Sequence, residues 1–370
     1  MTVKWQHFVP RVYLKNWETQ VESLKEPDKP FRGIYYFEKP ELAVGDGKNK
    51  ASILCESRLY NINYDLSFIM KSCPVIEKDY IKQVDKLLKA REVNAFYEDN
   101  RLKTRKDLAE HFLELDSWEF KHKKYPFNLA RKGAILNDIK GINSYVIEHT
   151  LDDFVEKKWQ QNLETFIYEM ENTVPLNGVD EIRQINEGTV LEMVKMIIFL
   201  ICRNPEFDYL GILPWIKDFV LGCLPEVMDE VGQKARQDFI QNQMDALWLV
   251  EIYKGLFGVP SGYFHTLIEA AQSSFQLMLY KCWEGQGEFI TSDKPAFEHV
   301  SRMEATNINS IICPLTPQYI LLLMKGESNS LNKVNFRRAN NKLIRKLNNI
   351  VLNHAQKGIV SSSKHLGYIL

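Results

Sequence analysis

The stretch Glu288–Pro317 reads EFITSDKPAFEHVSRMEATNINSIICPLTP, and it decides how we expect the chain to fold. Phe289 and Ile290 form a short apolar run typical of a β-strand, and the polar residues up to Pro295 end it. Proline cannot donate a hydrogen bond to a sheet, and it keeps the residue before it extended. Asp293 is therefore predicted at the exit of a strand, as a fixed and exposed carboxylate in a turn that its own side chain helps to close.

Outward from this stretch, the sequence predicts an α+β, mainly α fold. Apolar residues at three- and four-residue spacing predict helices at Ile76–Val93, Arg105–Phe120, Leu129–Ile139, Ser144–Asn172, Asn186–Cys202, Pro214–Val227, Gln237–Leu256 and Tyr263–Tyr280. Strands are expected at Gly33–Phe37, Ala51–Ile62, Phe289–Thr291, Ser310–Cys313, Tyr319–Met324 and Gly358–Ser361, with a further helix at Lys333–Gln356. We thus expect one unit over 1–370, in which a helical body (74–280) carries a small sheet built from N-terminal and C-terminal segments (1–73 and 281–370).

Composition sets the broad class of protein. The chain has 370 residues, 26% of them charged, and a net charge of −1, so no overall attraction to nucleic acid or to a membrane is expected. The first residues lack the apolar core of a signal peptide, and Met196–Cys202 is too short to cross a bilayer. Six widely spaced cysteines predict reduced thiols. The expected location is the cytoplasm.

Two further side chains stand where the chain breaks between apolar segments. His7 precedes Pro10, and its ordinary pKa suits proton transfer near neutral pH, although a hydrogen-bonded core histidine is the simpler interpretation. Arg203 ends an almost wholly apolar helix and is followed by Asn204 and Pro205. It is predicted either to pair with the carboxyl-terminal dipole of that helix or to bind an anion such as phosphate.

The C-terminal segment has a charge asymmetry that the net charge hides. Between Leu331 and Leu370 there are Lys and Arg residues but no Asp or Glu. The candidate ligands for a phosphate backbone are Arg337, Arg338, Lys342, Arg345 and Lys346, with interleaved asparagines Asn340, Asn341, Asn348 and Asn349. The alternative is that acidic helices elsewhere balance these charges in three dimensions.

Three motifs in this order resemble a bacterial domain family of unknown function. They are HFVPRVYL at His7–Leu14, RNP at Arg203–Pro205, and ITSDKP at Ile290–Pro295 followed by PLTP. The family opens with H-[FY]-V-P-x-x-Y-L and later carries I-T-S-D-x-P. Its genes occur among anti-phage defence loci, which implies a defence role here. The resemblance singles out His7, Pro10, Tyr13, Leu14, Arg203, Pro205, Ser292, Asp293 and Pro295.

These observations lead to two functional hypotheses. In the first, the protein is a latent toxin that cleaves nucleic acid, with RNA favoured, once a phage component triggers it; His7 would be the acid or base and Arg203 the phosphate clamp, with Asp293 and Ser292 beside them. Histidine and arginine suffice for cleavage without a metal, and a magnesium site with Asp293 and Glu56 as ligands is an equally open alternative. In the second, the protein is a non-enzymatic sensor or interaction protein, and the same polar residues form a structural network.

Overall fold

The structure is a computed structural model, and it describes residues 5–41, 44–57, 74–125, 128–151, 155–176, 181–204, 232–234, 262–303, 306–326 and 331–367. The α-helices of these ranges are α1 (Arg11–Leu14), α2 (Pro74–Ala90), α3 (Arg105–Glu110), α4 (Lys132–Leu151), α5 (Lys157–Asn172), α6 (Glu187–Cys202), α7 (Tyr263–Ser274) and α8 (Asn341–His354). Within these ranges, no helix is both long and apolar enough to span a membrane.

The strands of the same ranges are β1 (Trp5–His7), β2 (Thr19–Val21), β3 (Phe31–Glu38), β4 (Asp46–Lys48), β5 (Cys55–Ser57), β6 (Val93–Tyr97), β7 (Asn100–Arg101) and β8 (Glu119–His122). They continue with β9 (Ile182–Gln184), β10 (Phe275–Cys282), β11 (Thr291–Ser292), β12 (Phe297–Met303), β13 (Thr306–Thr316), β14 (Tyr319–Lys325), β15 (Lys333–Ala339) and β16 (Gly358–Ser361). Single turns of 3-10 helix occur at Lys15–Trp17 and Lys50–Ser52, and a longer one at Phe112–Ser117.

The prediction of a mainly helical fold with one small sheet is wrong, because the protein is a mixed α/β protein. Of the residues that the structure describes, 43% are helical and 29% lie in strands, and these strands form sheets of 2, 5, 3 and 6 strands. Several strands lie inside the segment that we expected to be helical: β6, β7, β8, β9 and β10. A short apolar run is compatible with either a buried strand or a helix, and in these segments pairing with strands distant in sequence stabilises the strand.

Two segments that were predicted to be helical contain a strand. The helix predicted at Tyr263–Tyr280 ends at Ser274, and the chain continues as β10, which pairs with β14 on one side and β15 on the other. The helix predicted at Lys333–Gln356 is strand β15 followed by α8. The side chain of Asn340 separates them, since it accepts a hydrogen bond from the amide of Leu343 and so caps the new helix.

The chain groups into two compact units, each assembled from separate segments. The first comprises Met1–Gln6, Ser57–Asp153 and Asp208–His265; the second comprises His7–Glu56, Phe154–Phe207 and Thr266–Leu370. In the described part of the first unit, β7, β6 and β8 form a sheet beside α2, α3 and α4. Its core includes edge-to-face aromatic contacts of Phe112 with Tyr80 and Trp118, at ring distances of 4.9 and 6.2 Å.

The second unit contains the two larger sheets. One has the strand order β12-β13-β14-β10-β15-β9, in which only β10 and β15 run parallel; the other has the order β11-β16-β3-β2, with β4 paired to β3. Helix α8 packs in one apolar core with both sheets, through Ile344, Leu347 and Val351. Its buried Asn348 accepts a hydrogen bond from the amide of Ile290 (3.1 Å) and donates one to the carbonyl of Glu288 (2.8 Å). Asn340 and Asn348 are therefore structural residues of this helix.

Aromatic side chains near the N-terminus attach to the stretch Glu288–Pro317. The Tyr13 hydroxyl donates to the carbonyl of Pro314 and lies 2.6 Å from the hydroxyl of Thr291. The indole nitrogen of Trp17 donates to the carbonyl of Phe289 at 3.1 Å. Both rings are fully buried, and these bonds satisfy their polar atoms. This attachment places the residues around His7 in the same unit as Asp293.

Candidate functional site

Asp293 leaves β11 as predicted, but its carboxylate is buried, with only 2% of the residue exposed. Its two oxygens accept hydrogen bonds from the amide of Gln356 (3.0 and 3.2 Å), and one of them also accepts from the amide of Gly358 (3.3 Å). The backbone amide of Asp293 in turn donates to the carbonyl of Gly358 at 3.2 Å. The predicted exposed carboxylate is instead an acceptor that holds the turn between α8 and β16.

The surroundings of Asp293 are tightly packed. A Cβ atom at Gly358 would lie 2.5 Å from the carbonyl oxygen of Phe37 and 2.6 Å from the hydroxyl of Tyr36, so this position needs glycine. Burial, followed by the negative charges of Asp293 and Glu38, raises the pKa of Tyr36 to about 12. Tyr36 is therefore a neutral phenol at neutral pH.

Ser292 closes the turn after β11. Its hydroxyl donates to the carbonyl of Lys294 (3.0 Å) and accepts from the amide of the same residue (3.1 Å), and the serine is fully buried. Such a local bond is typical of serine in turns. Both bonding directions of this hydroxyl are thus used by the backbone of Lys294.

Arg203 ends α6 and is 5% exposed. Its Nη1 forms an ion pair with the carboxylate of Glu156, and its Nε donates to the backbone carbonyl of His7 at 2.8 Å. The guanidinium also lies over the ring of Phe199, 5.2 Å from the ring centre. Glu156 is the partner that the sequence did not reveal, since one glutamate at the start of a helix carries no signal of a contact 47 residues away.

His7 is half-buried, and its Nδ1 has no hydrogen-bond partner among the residues that the structure describes. Burial lowers the pKa of His7 to about 4, with further lowering by the charges of Arg11 and Arg203; a hydrogen bond with the backbone of Ile53 opposes the shift. The imidazole is therefore neutral at neutral pH, and it lacks the near-neutral pKa that suits an acid–base catalyst.

The lowered pKa of His7 should make the free energy of unfolding depend on pH. In the unfolded chain His7 regains its ordinary pKa of 6.5, whereas the folded protein lowers it to about 4. The unfolded state then binds more protons below pH 6.5, so stability is expected to fall as the pH falls from 6.5 to about 5, before most carboxylates titrate. Urea unfolding at several pH values should show that lowering the pH decreases the free energy of unfolding less in His7→Asn than in wild type. The same pH dependence in both proteins would contradict this prediction. His122→Asn, which replaces an exposed histidine, is the control.

The predicted site residues meet mainly through backbone atoms. Arg203 binds the carbonyl of His7, and the side-chain amide of Asn204 donates to the carbonyl of Asp293 at 3.2 Å. The side chains of His7, Arg203 and Asp293 share no hydrogen bond with one another in the described structure. Pro205 lies outside the described residues. Together these residues form a cluster of buried and half-buried polar groups, which we call the polar junction (His7, Glu156, Arg203, Asn204 and Asp293).

The two predicted magnesium ligands bind different partners. Glu56 forms an ion pair with Lys357, whose ammonium lies 4.7 Å from the ring centre of Phe8, whereas the Asp293 carboxylate binds backbone amides. Within the ranges that the structure describes, no three His, Cys, Asp or Glu side chains are grouped as metal ligands.

The predicted nucleic-acid ligands lie at the protein surface, on two consecutive elements of the chain. All five side chains are exposed, and none forms an ion pair with a described residue: Arg337, Arg338, Lys342, Arg345 and Lys346. Arg337 and Arg338 are neighbours on β15, so their side chains project from opposite faces of the sheet, and the other three lie on α8. The guanidinium of Arg338 lies over Trp283 at 5.5 Å from the ring centre, and this indole is 49% exposed. We call these five cations with Trp283 the basic surface.

The fold and these two sites define a mixed α/β protein with a buried polar junction and a separate basic surface. The chain belongs to the family described as Protein of unknown function (DUF4238), whose model matches residues 5–365. Neither the curated proteins nor the solved structures include a significant match to the chain.

Proposed function

We propose that this protein binds nucleic acid, with RNA favoured, through the basic surface. The observation that carries the proposal is that five exposed cations of one segment have no anionic partner in the described part of the chain. Some other cations of the second unit do have carboxylate partners, as in Lys48–Asp46 at 2.6 Å and Lys364–Glu22 at 2.9 Å. A local excess of positive charge attracts a polyanion even when the net charge is −1.

The geometry of the helix supports contact with a phosphate backbone. Lys342 and Lys346 are four residues apart on α8, so they project from the same side, and Arg345 lies beside them. No Asp or Glu occurs between Leu331 and Leu370 to oppose these charges locally. Lysine and arginine at such spacing bind phosphates without reading the base sequence.

The exposed Trp283 favours a single-stranded partner. Base stacking on an aromatic ring contributes about 1–3 kcal/mol per base, and a guanidinium over the ring can take part in it. Arg338 already lies over this indole, 5.5 Å from its centre. Single strands and loops present unstacked bases, and stacking on an aromatic ring accepts any of them.

Neutralising the basic surface should weaken RNA binding. For the triple variant Lys342→Gln/Arg345→Gln/Lys346→Gln we expect a dissociation constant at least about tenfold higher, because fewer counterions are released from the RNA when fewer cations bind its phosphates. Fluorescence anisotropy with a labelled single-stranded RNA measures this. The matched control is Lys78→Gln/Lys82→Gln/Lys86→Gln, three exposed lysines on α2 with Glu77, Asp79 and Asp85 beside them. Equal affinity of both triple variants would contradict the proposal.

For the residues of the polar junction, the observed contacts favour the second functional hypothesis, in which these residues form a structural network. Arg203 and Asp293 use polar side-chain atoms on backbone groups or on Glu156, as the neighbouring Ser292 does on the backbone of Lys294, and a structural network requires such contacts. The catalytic role predicted for them stays a prediction, and burial argues against it.

The defence role, with a phage-derived trigger, rests on the family resemblance alone, and we propose it on that basis. Cells that express the protein should resist phage, and the triple variant of the basic surface should lose that protection if nucleic acid is the target. Plaque counts, with total RNA and DNA examined after infection, measure both. Full protection by the triple variant would separate defence from nucleic-acid binding.

A further inference from the structure

Two histidines that the sequence did not single out form a pair at the end of α8. The ring of His354 stacks on Phe297, with ring centres 4.2 Å apart and planes at 18°, and His299 meets the ring of His354 edge-on at 5.2 Å and 76°. His299 comes from β12 and is half-buried, as is His354. The pair is thus fixed by packing yet reachable from solvent.

The free nitrogens of the pair can be identified. Nδ1 of His354 lies 2.9 Å from the carbonyl oxygen of Ile350, so this nitrogen carries a proton and donates it, which leaves Nε2 free. The ring nitrogens of His299 make no hydrogen bond to any residue that the structure describes. Each ring therefore has a nitrogen available to an incoming ligand.

Helix α8 carries three cations of the basic surface as well as His354. Lys346 lies four residues after Lys342 and eight before His354, so His354 is rotated around the helix by about 80° from Lys346 and about 120° from Lys342. Lys346 is close enough to His299 for its charge to matter: burial, then His354, then Lys346 lower the pKa of His299. Lys346 is thus the cation of the basic surface that acts on His299.

We propose that His299 and His354 are the acid–base pair of a metal-independent RNA-cleaving site, with Lys346 stabilising the reacting phosphate. The proposal rests on the proposed function, since it takes the bound RNA as its substrate. Acid–base groups must come within about 3 Å of the atoms that they serve. The two imidazoles are in contact, with ring centres 5.2 Å apart, so one phosphodiester bound beside them lies within reach of both.

The chemistry balances without a cofactor. Neutral His299 accepts the proton of the 2′-hydroxyl, and the 2′-oxygen forms a bond to the adjacent phosphorus. The bond from phosphorus to the 5′-oxygen breaks, and protonated His354 donates a proton to that leaving oxygen. The products are a 2′,3′-cyclic phosphate and a 5′-hydroxyl, while Lys346 offsets the extra negative charge of the pentavalent phosphate. The pair ends with its protons exchanged, and solvent restores them.

Conservative variants separate this role from packing. His354→Phe keeps an aromatic ring that can stack on Phe297 but cannot transfer a proton, and His299→Asn keeps a polar side chain. Each is expected to cleave a labelled single-stranded RNA at least about 100-fold more slowly than wild type, in the presence of a metal chelator, with RNA affinity unchanged. His122→Asn, an exposed histidine in the first unit, is the control.

The substrate supplies a second control. An oligonucleotide with a single 2′-deoxy position should resist cleavage at that position only, because the attacking hydroxyl is missing. If wild type binds the RNA and leaves it intact, or if both histidine variants cleave like wild type, the proposed cleavage site is wrong while the proposed RNA binding stands. If wild type does not bind RNA at all, the proposed function fails, and this inference fails with it.

Discussion

Asp293→Ala is expected to lower the free energy of unfolding by about 2–4 kcal/mol. The carboxylate accepts hydrogen bonds from the amides of Gln356 and Gly358, and the whole side chain is buried. Its removal leaves two amides without their acceptor and opens a small cavity where α8 joins β16. Chemical denaturation by urea, followed by circular dichroism, measures the decrease in stability.

Two further variants make this result interpretable. Asp293→Asn retains one oxygen as an acceptor, so we expect it to lose less stability than Asp293→Ala. Asp28→Ala removes an exposed carboxylate in the same unit and should change stability by less than about 0.5 kcal/mol. If Asp293→Ala unfolded at the wild-type urea concentration, the carboxylate would not be structural, and its predicted role in catalysis would regain support.

Arg203→Ala is expected to cost about 3–5 kcal/mol, because it leaves the carboxylate of Glu156 without its cation and the carbonyl of His7 without its donor. The side chains of Arg203 and Glu156 are only 3% and 16% exposed, so solvent compensates little for the missing ion pair. A double-mutant cycle with Glu156→Ala isolates the pair: the double variant should be less destabilised than the sum of the single variants.

An exposed ion pair gives the matched control for that cycle. Lys106 and Glu110 are four residues apart on α3 with 3.6 Å between their charged atoms, and their side chains are 83% and 56% exposed. Their coupling energy should be about 0.3–0.5 kcal/mol. A coupling of Arg203 and Glu156 no larger than this would show that the pair does not hold the end of α6 to the start of α5.

Local sequence patterns predicted several elements well. The helix expected at Asn186–Cys202 is confirmed as α6, and Asn186 caps it by accepting a hydrogen bond from the amide of Thr189. The strands expected at Gly33–Phe37, Tyr319–Met324 and Gly358–Ser361 are confirmed as β3, β14 and β16. These segments carry strong signals within themselves, either a regular apolar spacing with a cap or a run of β-branched and aromatic residues.

The failures lie where the partner is distant in sequence. Phe275–Cys282 alternates little between apolar and polar residues, and only its pairing with β14 and β15 makes it a strand. The same holds for the candidate site. The local sequence predicts Asp293 at a strand exit, but its carboxylate binds amides that lie 63 and 65 residues away. The local sequence also indicates that Arg203 needs a partner, but it does not identify Glu156 as that partner.

The salt dependence of RNA affinity tests the central claim most directly. For single-stranded nucleic acid, each phosphate contact contributes about −0.7 to the slope of log binding constant against log salt concentration. We therefore expect the slope of Lys342→Gln/Arg345→Gln/Lys346→Gln to be shallower than that of wild type by about 2, because three cations that would bind phosphates are replaced. The α2 triple variant, Lys78→Gln/Lys82→Gln/Lys86→Gln, should keep the wild-type slope. Equal slopes for all three proteins, or no measurable affinity of wild type for RNA at low salt, would contradict the account.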